Sequence, residues 1–141
     1  MNRFQRAGGV ALLGLCWAGV SFGTTRYVDV DCVTSLAPYT NWATASTNIQ
    51  PVIDASSSGD EIWVAPGVYR IAAELNIPAS KTLTLRSTES RAAVIDGQGV
   101  CRGITISGTN SVVEGFTVRH GYDPGYGGGC SCPGRQRFGT A

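Results

Sequence analysis

GDEIWVAPGVY, residues 59–69, sets an acidic turn, the triplet Ile62-Trp63-Val64 and a Pro66-Gly67 bend in immediate succession. Ile62 and Val64 lie two residues apart, so on an extended chain they share one face while Trp63 takes the other. Pro66 pre-sets φ for a turn and Gly67 admits the backbone angles of a sharp bend, so the strand must stop after a few residues. A strand that short buries little apolar surface alone and gains stability only as a member of a stack.

The triplet recurs. Leu83-Thr84-Leu85 and Ile104-Thr105-Ile106 have the same apolar-x-apolar form, and the three triplets begin 21 residues apart; Ile95 and Phe116 make a second pair at that spacing. A fixed period in the range of about 20 to 50 residues marks a solenoid, in which equivalent positions of successive turns stack at the strand spacing of roughly 4.8 Å. The expected fold class is therefore all-β, a parallel β-helix of about three coils. Ile62, Val64, Leu83, Leu85, Ile104 and Ile106 form its core ladder, and Trp63, Thr84 and Thr105 face outward. Pro66-Gly67, Asp96-Gly97, Ser107-Gly108 and His120-Gly121 supply the bends. The competing architecture is an antiparallel sandwich with turns every 8 to 12 or so residues.

Working toward the N-terminus, the helical spacing of Ile49, Val52 and Ile53 predicts a short helix, capped by Thr47 or Asn48, with Pro51 in its first turn and Gly59 at its end. Residues 34–47, with Pro38, Asn41 and many Ser and Thr, read as a loop that packs Trp42 onto the body. YVDVDCV, residues 27–33, alternates as a strand. Before it, Arg3 and Arg6 precede an apolar run from Val10 to Val20, and Ser21-Phe22-Gly23 places small residues at a cleavage position, the pattern of a secretory signal peptide over residues 1–23. The run is too short for a membrane span, which needs roughly 18 residues, so none is expected after signal removal. The product would be secreted or held in the cell envelope, where Cys32, Cys101, Cys130 and Cys132 have three possible pairings. The organisation is then residues 1–23 as signal, 24–59 as an N-terminal cap region of strand, loop and short helix, 60–129 as coils, and 130–141 as an atypical tail.

GDEIWVAPGVY, LTLRS (83–87), VIDGQG (94–99) and VVEGFTVRHG (112–121) resemble the right-handed parallel β-helix proteins of the pectin-lyase-like superfamily, in particular secreted bacterial ones. NIQPVIDASSSGD (48–60) is similar to the amphipathic helix that precedes the first coil in that family. The resemblance implies a right-handed β-helix in which Ile49, Val52 and Ile53 form a structural cap over the open end of the core. It covers residues 27–129 and specifies fold more than activity.

The superfamily includes polysaccharide lyases and hydrolases, so each chemical candidate needs its own test. Hydrolysis uses paired carboxylates at a set separation, and Asp54, Asp60, Glu61, Asp96, Glu114 and Asp123 make no such signature; Asp60 and Asp96 stand at turns where a carboxylate accepts backbone N–H groups. Calcium-assisted elimination uses clustered carboxylates and a basic group. Asp29 and Asp31 are a close acidic pair on one face of the expected strand, and as metal candidates they lack further oxygen ligands. Cys130-x-Cys132 has no second ligand pair for zinc. His120, the single histidine, has no identifiable nucleophile partner, and Arg86 and Arg119 read as surface residues. GQGVCRG (97–103) has Arg102 where a phosphate-binding G-x-G-x-x-G loop needs glycine. With 11 Lys and Arg against 10 Asp and Glu and no basic block, nothing marks a nucleic-acid partner.

The expectation is an exported, non-catalytic β-helix module, a surface, adhesive or glycan-contacting scaffold with no catalytic residue and no cofactor. Trp63 is its carbohydrate-contact candidate, and a polysaccharide or cell-surface glycan its partner. The alternative is a polysaccharide lyase or glycoside hydrolase whose catalytic coils are missing here. GYDPGYGGG (121–129) reads as a link to further coils, yet CSCPGRQRFGTA follows without a triplet, so the chain is expected to be a fragment of a longer protein, shortened by a frameshift near Cys130; a tail folded back as a cap is the other option.

Overall fold

The computed structural model describes residues 23–123 and the backbone of residues 130–131. The expected signal peptide up to residue 22, the glycine-rich link at 124–129 and the tail from 132 lie outside the described residues.

The described chain is built of short parallel strands with little helix. β1 (Thr25–Val28) is followed by a 3-10 turn (Trp42–Thr44) and α1 (Ile49–Ala55). Nine strands come next: β2 (Glu61–Val64), β3 (Gly67–Arg70), β4 (Leu75–Ile77), β5 (Thr84–Ser87), β6 (Ala93–Asp96), β7 (Ile104–Ile106), β8 (Val112–Glu114), β9 (Phe116–Arg119) and β10 (Cys130–Ser131). They form three sheets, here A, B and C, with strand orders β1-β2-β5-β8, β3-β6-β9 and β10-β7-β4. Every pairing is parallel. From β2 onward the chain visits A, B and C in turn, and repeats that circuit.

Alternation inside each strand sends one face to a shared core. Ile62, Val64 and Leu85 of sheet A, Ala93 and Ile95 of sheet B, and Ile77 and Ile106 of sheet C are fully buried, with Tyr69, Leu75, Ile104 and Val113 nearly so. Each large aliphatic buried in this way contributes about 1.5–3 kcal/mol. The corners between strands are tight. Gly67 has φ +151, and a Cβ there would lie 2.6 Å from Val30 Cγ1; Gly115, at φ +78, turns the chain from β8 into β9 within one residue.

All six residues of the expected ladder are buried, but the equal period does not describe their stacking. Ile62 stands beside Leu85, and Leu85 beside Val113. Leu83 precedes β5 and donates its N–H to Ser111 Oγ at 3.2 Å. Ile104 and Ile106 belong to sheet C, paired with Leu75 and Ile77. Ile95 pairs with Val118, and Phe116 with Ala93. Each of these steps is longer than 21 residues, because the corners differ in length while the strands stay in register.

The N-terminal region differs from expectation in two further places. The strand expected over residues 27–33 stops at Val28, because Asp29 Oδ1 accepts the Asp31 N–H at 3.0 Å and Asp29 O accepts the Cys32 N–H at 3.1 Å, which closes a turn. The helix ends at Ala55 rather than Gly59. Ser56 is extended, with φ −80 and ψ 152, and its hydroxyl donates to Val52 O at 2.6 Å. Lys81 Nζ takes the carbonyls of Ile53 and Asp54 at 2.9 and 2.7 Å, where a cation also suits the helix dipole. Asn48 holds the N-cap position without a side-chain capping bond.

Ile49, Val52 and Ile53 are buried in the same core as the strands. Gln50 reaches the outer edge of β4, accepting the Asn76 N–H at 2.8 Å and donating to Asn76 O at 3.3 Å. α1 thus satisfies part of an edge that would otherwise be open, as β1 does for β2.

Candidate functional site

Sheet A places its unburied residues in columns across the strands. Register aligns Tyr27 with Trp63, Trp63 with Arg86, and Arg86 with Glu114. The column alternates against the buried Val28 and Val64, so these side chains stand on the outer face. Trp63 is half-buried there, between Tyr27 on one side and Arg86 on the other. Beyond Tyr27 the 34–47 loop brings in Trp42, whose ring lies 4.5 Å from that of Tyr27 at 53°. The geometry suits a tilted aromatic pair.

The loop is fixed by the chain beside it. Asn41 Oδ1 accepts the Thr44 N–H at 3.0 Å and so caps the turn that carries Trp42. Tyr27 donates its N–H to Tyr39 O at 2.8 Å and accepts the Ser46 N–H at 3.1 Å. Trp42 remains 42% exposed. Three aromatic rings therefore occupy one strip, held by backbone bonds on both sides of Tyr27.

The strip ends in charge. Arg86 Nε lies 3.2 Å from Glu61 Oε1 and 3.0 Å from Glu114 Oε1. Nε is itself shielded from solvent, and neither contact is aligned as a hydrogen bond, so both are ion pairs rather than directed bonds. The three side chains are between 34% and 41% exposed.

A second polar cluster sits where β6 and β9 end. Asp96 Oδ1 accepts the Gln98 N–H at 3.0 Å and faces His120 Nδ1 at 3.0 Å. Its other oxygen accepts from Arg119 Nε at 3.1 Å. The Gln98 N–H and then the His120 ring hold this carboxyl down at about 2; burial pulls the other way, and Arg119 adds to the lowering. His120 stands at φ +48, a left-handed conformation costly for histidine. An Asp–His pair orients an imidazole, as in acid–base sites. Among the described residues, the hydrogen bonds of this cluster join Asp96 to Gln98, Arg119 and His120 and include no hydroxyl or thiol.

The remaining candidates are spread apart. Asp29 and Asp31 lie in the turn after β1, and their charges help burial push the Tyr69 phenol up to about 12, against the Val30 N–H that the hydroxyl accepts. Among the described residues no three His, Cys, Asp or Glu side chains gather to hold a metal. Among the described residues Cys32 and Cys101 are free thiols; burial, then the Glu74 charge, push Cys101 up. Asp123 pairs with Arg102 at 2.9 Å, and Asp54 accepts from Gln50. A cleft of about 300 Å³ between the start of α1 and the β3–β4 connection is lined by Asn48, Gln50, Arg70 and Glu74 among others. Gln50 is committed there to Asn76, and Glu74 to Thr105 Oγ1 at 2.9 Å.

Trp63 alone of these aromatics was singled out by sequence as a contact residue. Tyr27 and Trp42 were missed as its partners, although RYV (26–28) and IWV (62–64) carry the same inward-aromatic-valine signature. Glu61, Glu114 and Arg86 stand far apart in the sequence, and only register unites them. Comparison with known protein families, curated proteins and solved structures found no match to this chain.

Proposed function

We propose that this chain is an exported, non-catalytic module that contacts glycans through the outer face of sheet A, on a right-handed parallel β-helix. The three-sheet circuit supports the β-helix reading, and right-handed crossovers between parallel strands are the general rule. α1, with Ile49, Val52 and Ile53 in the core and Gln50 on the β4 edge, serves as the cap over the first coil. Export rests on the N-terminal charge and apolar pattern.

The observation that carries the glycan reading is the alignment of Tyr27 with Trp63 together with the Trp42 ring on Tyr27. Adjacent strands put successive rings roughly 4.8 Å apart, a step comparable to one sugar along an extended chain. Aromatic faces bind the C–H faces of pyranoses while losing little side-chain entropy. The outer-face carboxylates are both engaged with Arg86, an arrangement for holding charge rather than for exchanging protons with a substrate.

Binding of the purified protein to immobilised polysaccharides tests the proposal. Trp63→Ala is expected to weaken retention about tenfold, equivalent to about 1.4 kcal/mol, with an unchanged circular dichroism spectrum. Release of unsaturated products or new reducing ends at ordinary turnover would overturn the non-catalytic reading.

A further inference from the structure

We infer that the glycan taken by this face is neutral, a chain of uncharged pyranose units rather than a polymer of uronic acids. The inference rests on the glycan reading above and adds the class of ligand.

Charge at the end of the aromatic strip carries it. Trp42, Tyr27 and Trp63 offer ring faces and one phenol, which select no charge. The next group in the column, Arg86, is the one an acidic chain would seek, but it is held between Glu61 and Glu114 at 3.2 and 3.0 Å. One cation against two carboxylates leaves the trio net negative. A uronate brought to Arg86 would have to displace one carboxylate or sit beside both, and like charges at such range repel. The strands of sheet A carry one other cation, Arg26, which is buried and paired with Asp60 at 3.0 Å. No second positive group on these four strands compensates.

The same carboxylates suit a neutral sugar. Glu61 and Glu114 are acceptors without a donor proton when ionised, and they are partly exposed, Glu61 on the strand of Trp63 and Glu114 on the far side of Arg86. Hydroxyl groups along a pyranose edge donate to them, and hydrogen bonds to a charged acceptor are among the stronger ones. Ring faces below and carboxylate acceptors at the end of the strip thus match a polyhydroxyl chain with no charge of its own.

The two tryptophans on the strip give a direct readout. The chain has three tryptophans, and in a Trp17→Phe background the two that remain are Trp42 and Trp63. Their emission is titrated, in low salt without calcium, with neutral glucan, xylan, mannan and galactan oligosaccharides and with a galacturonate oligosaccharide of equal length. The expected result is a saturable change with at least one neutral oligosaccharide and about tenfold or weaker affinity for the galacturonate. Galacturonate binding as tight as the best neutral ligand would overturn this inference and leave the glycan reading in place. No change with any sugar, in protein whose melting transition is intact, would overturn the glycan reading itself.

The paired substitution Glu61→Gln with Glu114→Gln, in the same background, supplies the second arm. It keeps side-chain shape and acceptor oxygens while releasing Arg86. Galacturonate affinity is expected to rise about tenfold, and the best neutral ligand to change by less. If the double variant melts cooperatively and its galacturonate affinity is unchanged, the carboxylates do not set the preference and the inference fails.

Discussion

Two arginine–carboxylate groupings join the strands of sheet A, one on each side. On the buried side Arg26 Nε meets Asp60 Oδ2 at 3.0 Å, with side chains 10% and 5% exposed. On the outer side Arg86 shares Glu61 and Glu114 within partial reach of water. The buried pair is tied to the chain around it: Asp60 also accepts from Thr24 N at 2.7 Å and Ser57 N at 2.9 Å, and Arg26 donates to Pro38 O at 2.6 Å. Burial pushes the Asp60 carboxyl up, yet the Ser57 and Thr24 N–H groups and the Arg26 guanidinium outweigh it and hold it below its ordinary value. The outer trio has no such enclosure. The same chemical pair is therefore a fastening on one side of the sheet and an accessible surface on the other, and solvent decides which.

The sharpest way to break this contrast is Asp60→Ala. It strands the buried Arg26 and the Thr24 and Ser57 N–H groups, and the expected loss is about 3–5 kcal/mol in urea or thermal unfolding. Asp60→Asn, which keeps the shape and one acceptor, is expected to cost less. A smaller effect comes from acid. The Asp96 carboxyl titrates near 2 in the folded chain against an ordinary 3.8; a depressed folded value means that its contribution is complete above 3.8 and drains away as pH falls toward 2. Asp60 acts in the same direction. Melting curves at stepped acid pH are expected to fall across that window in the native chain and less steeply in Asp96→Asn. The smallest effect belongs to the outer trio: Arg86→Met is expected to change stability by no more than about 1 kcal/mol, because exposed ion pairs contribute little. A cost for Arg86→Met equal to that of Asp60→Ala would erase the distinction between the two sides.

Much of the architecture could be read from local pattern. Short alternating triplets placed Ile62, Val64, Leu85, Ile104 and Ile106 inside, and helical spacing placed Ile49, Val52 and Ile53 on a buried face, because burial follows strand and helix periods that the chain states directly. Register was less legible. Ile62, Leu83 and Ile104 are spaced evenly by sequence, yet partners are chosen by where each corner ends, and corner length carries no periodic mark. The site suffered most from this. Asp60 and Asp96 do sit at turns, but Arg26, Arg119 and His120 reach them from more than 20 residues away, a distance across which side-chain pattern gives no signal. Trp63 was visible because its own strand exposes it; Tyr27 and Trp42 needed the pairing of β1 with β2 and the return of the 34–47 loop.

The unequal circuits between paired strands have a consequence for how such a molecule can change over generations. Stacking fixes the strands, while the equivalent corners between β2 and β3, β5 and β6, and β8 and β9 already absorb different lengths, two, five and one residue, without shifting the register of their neighbours. Residues 88–91 are exposed along their whole length, so additional residues there would extend into solvent and leave the aliphatic columns alone. Copying errors that lengthen or trim a corner are therefore a cheap source of new surface, and variety in recognition can accumulate beside a core that stays as it was.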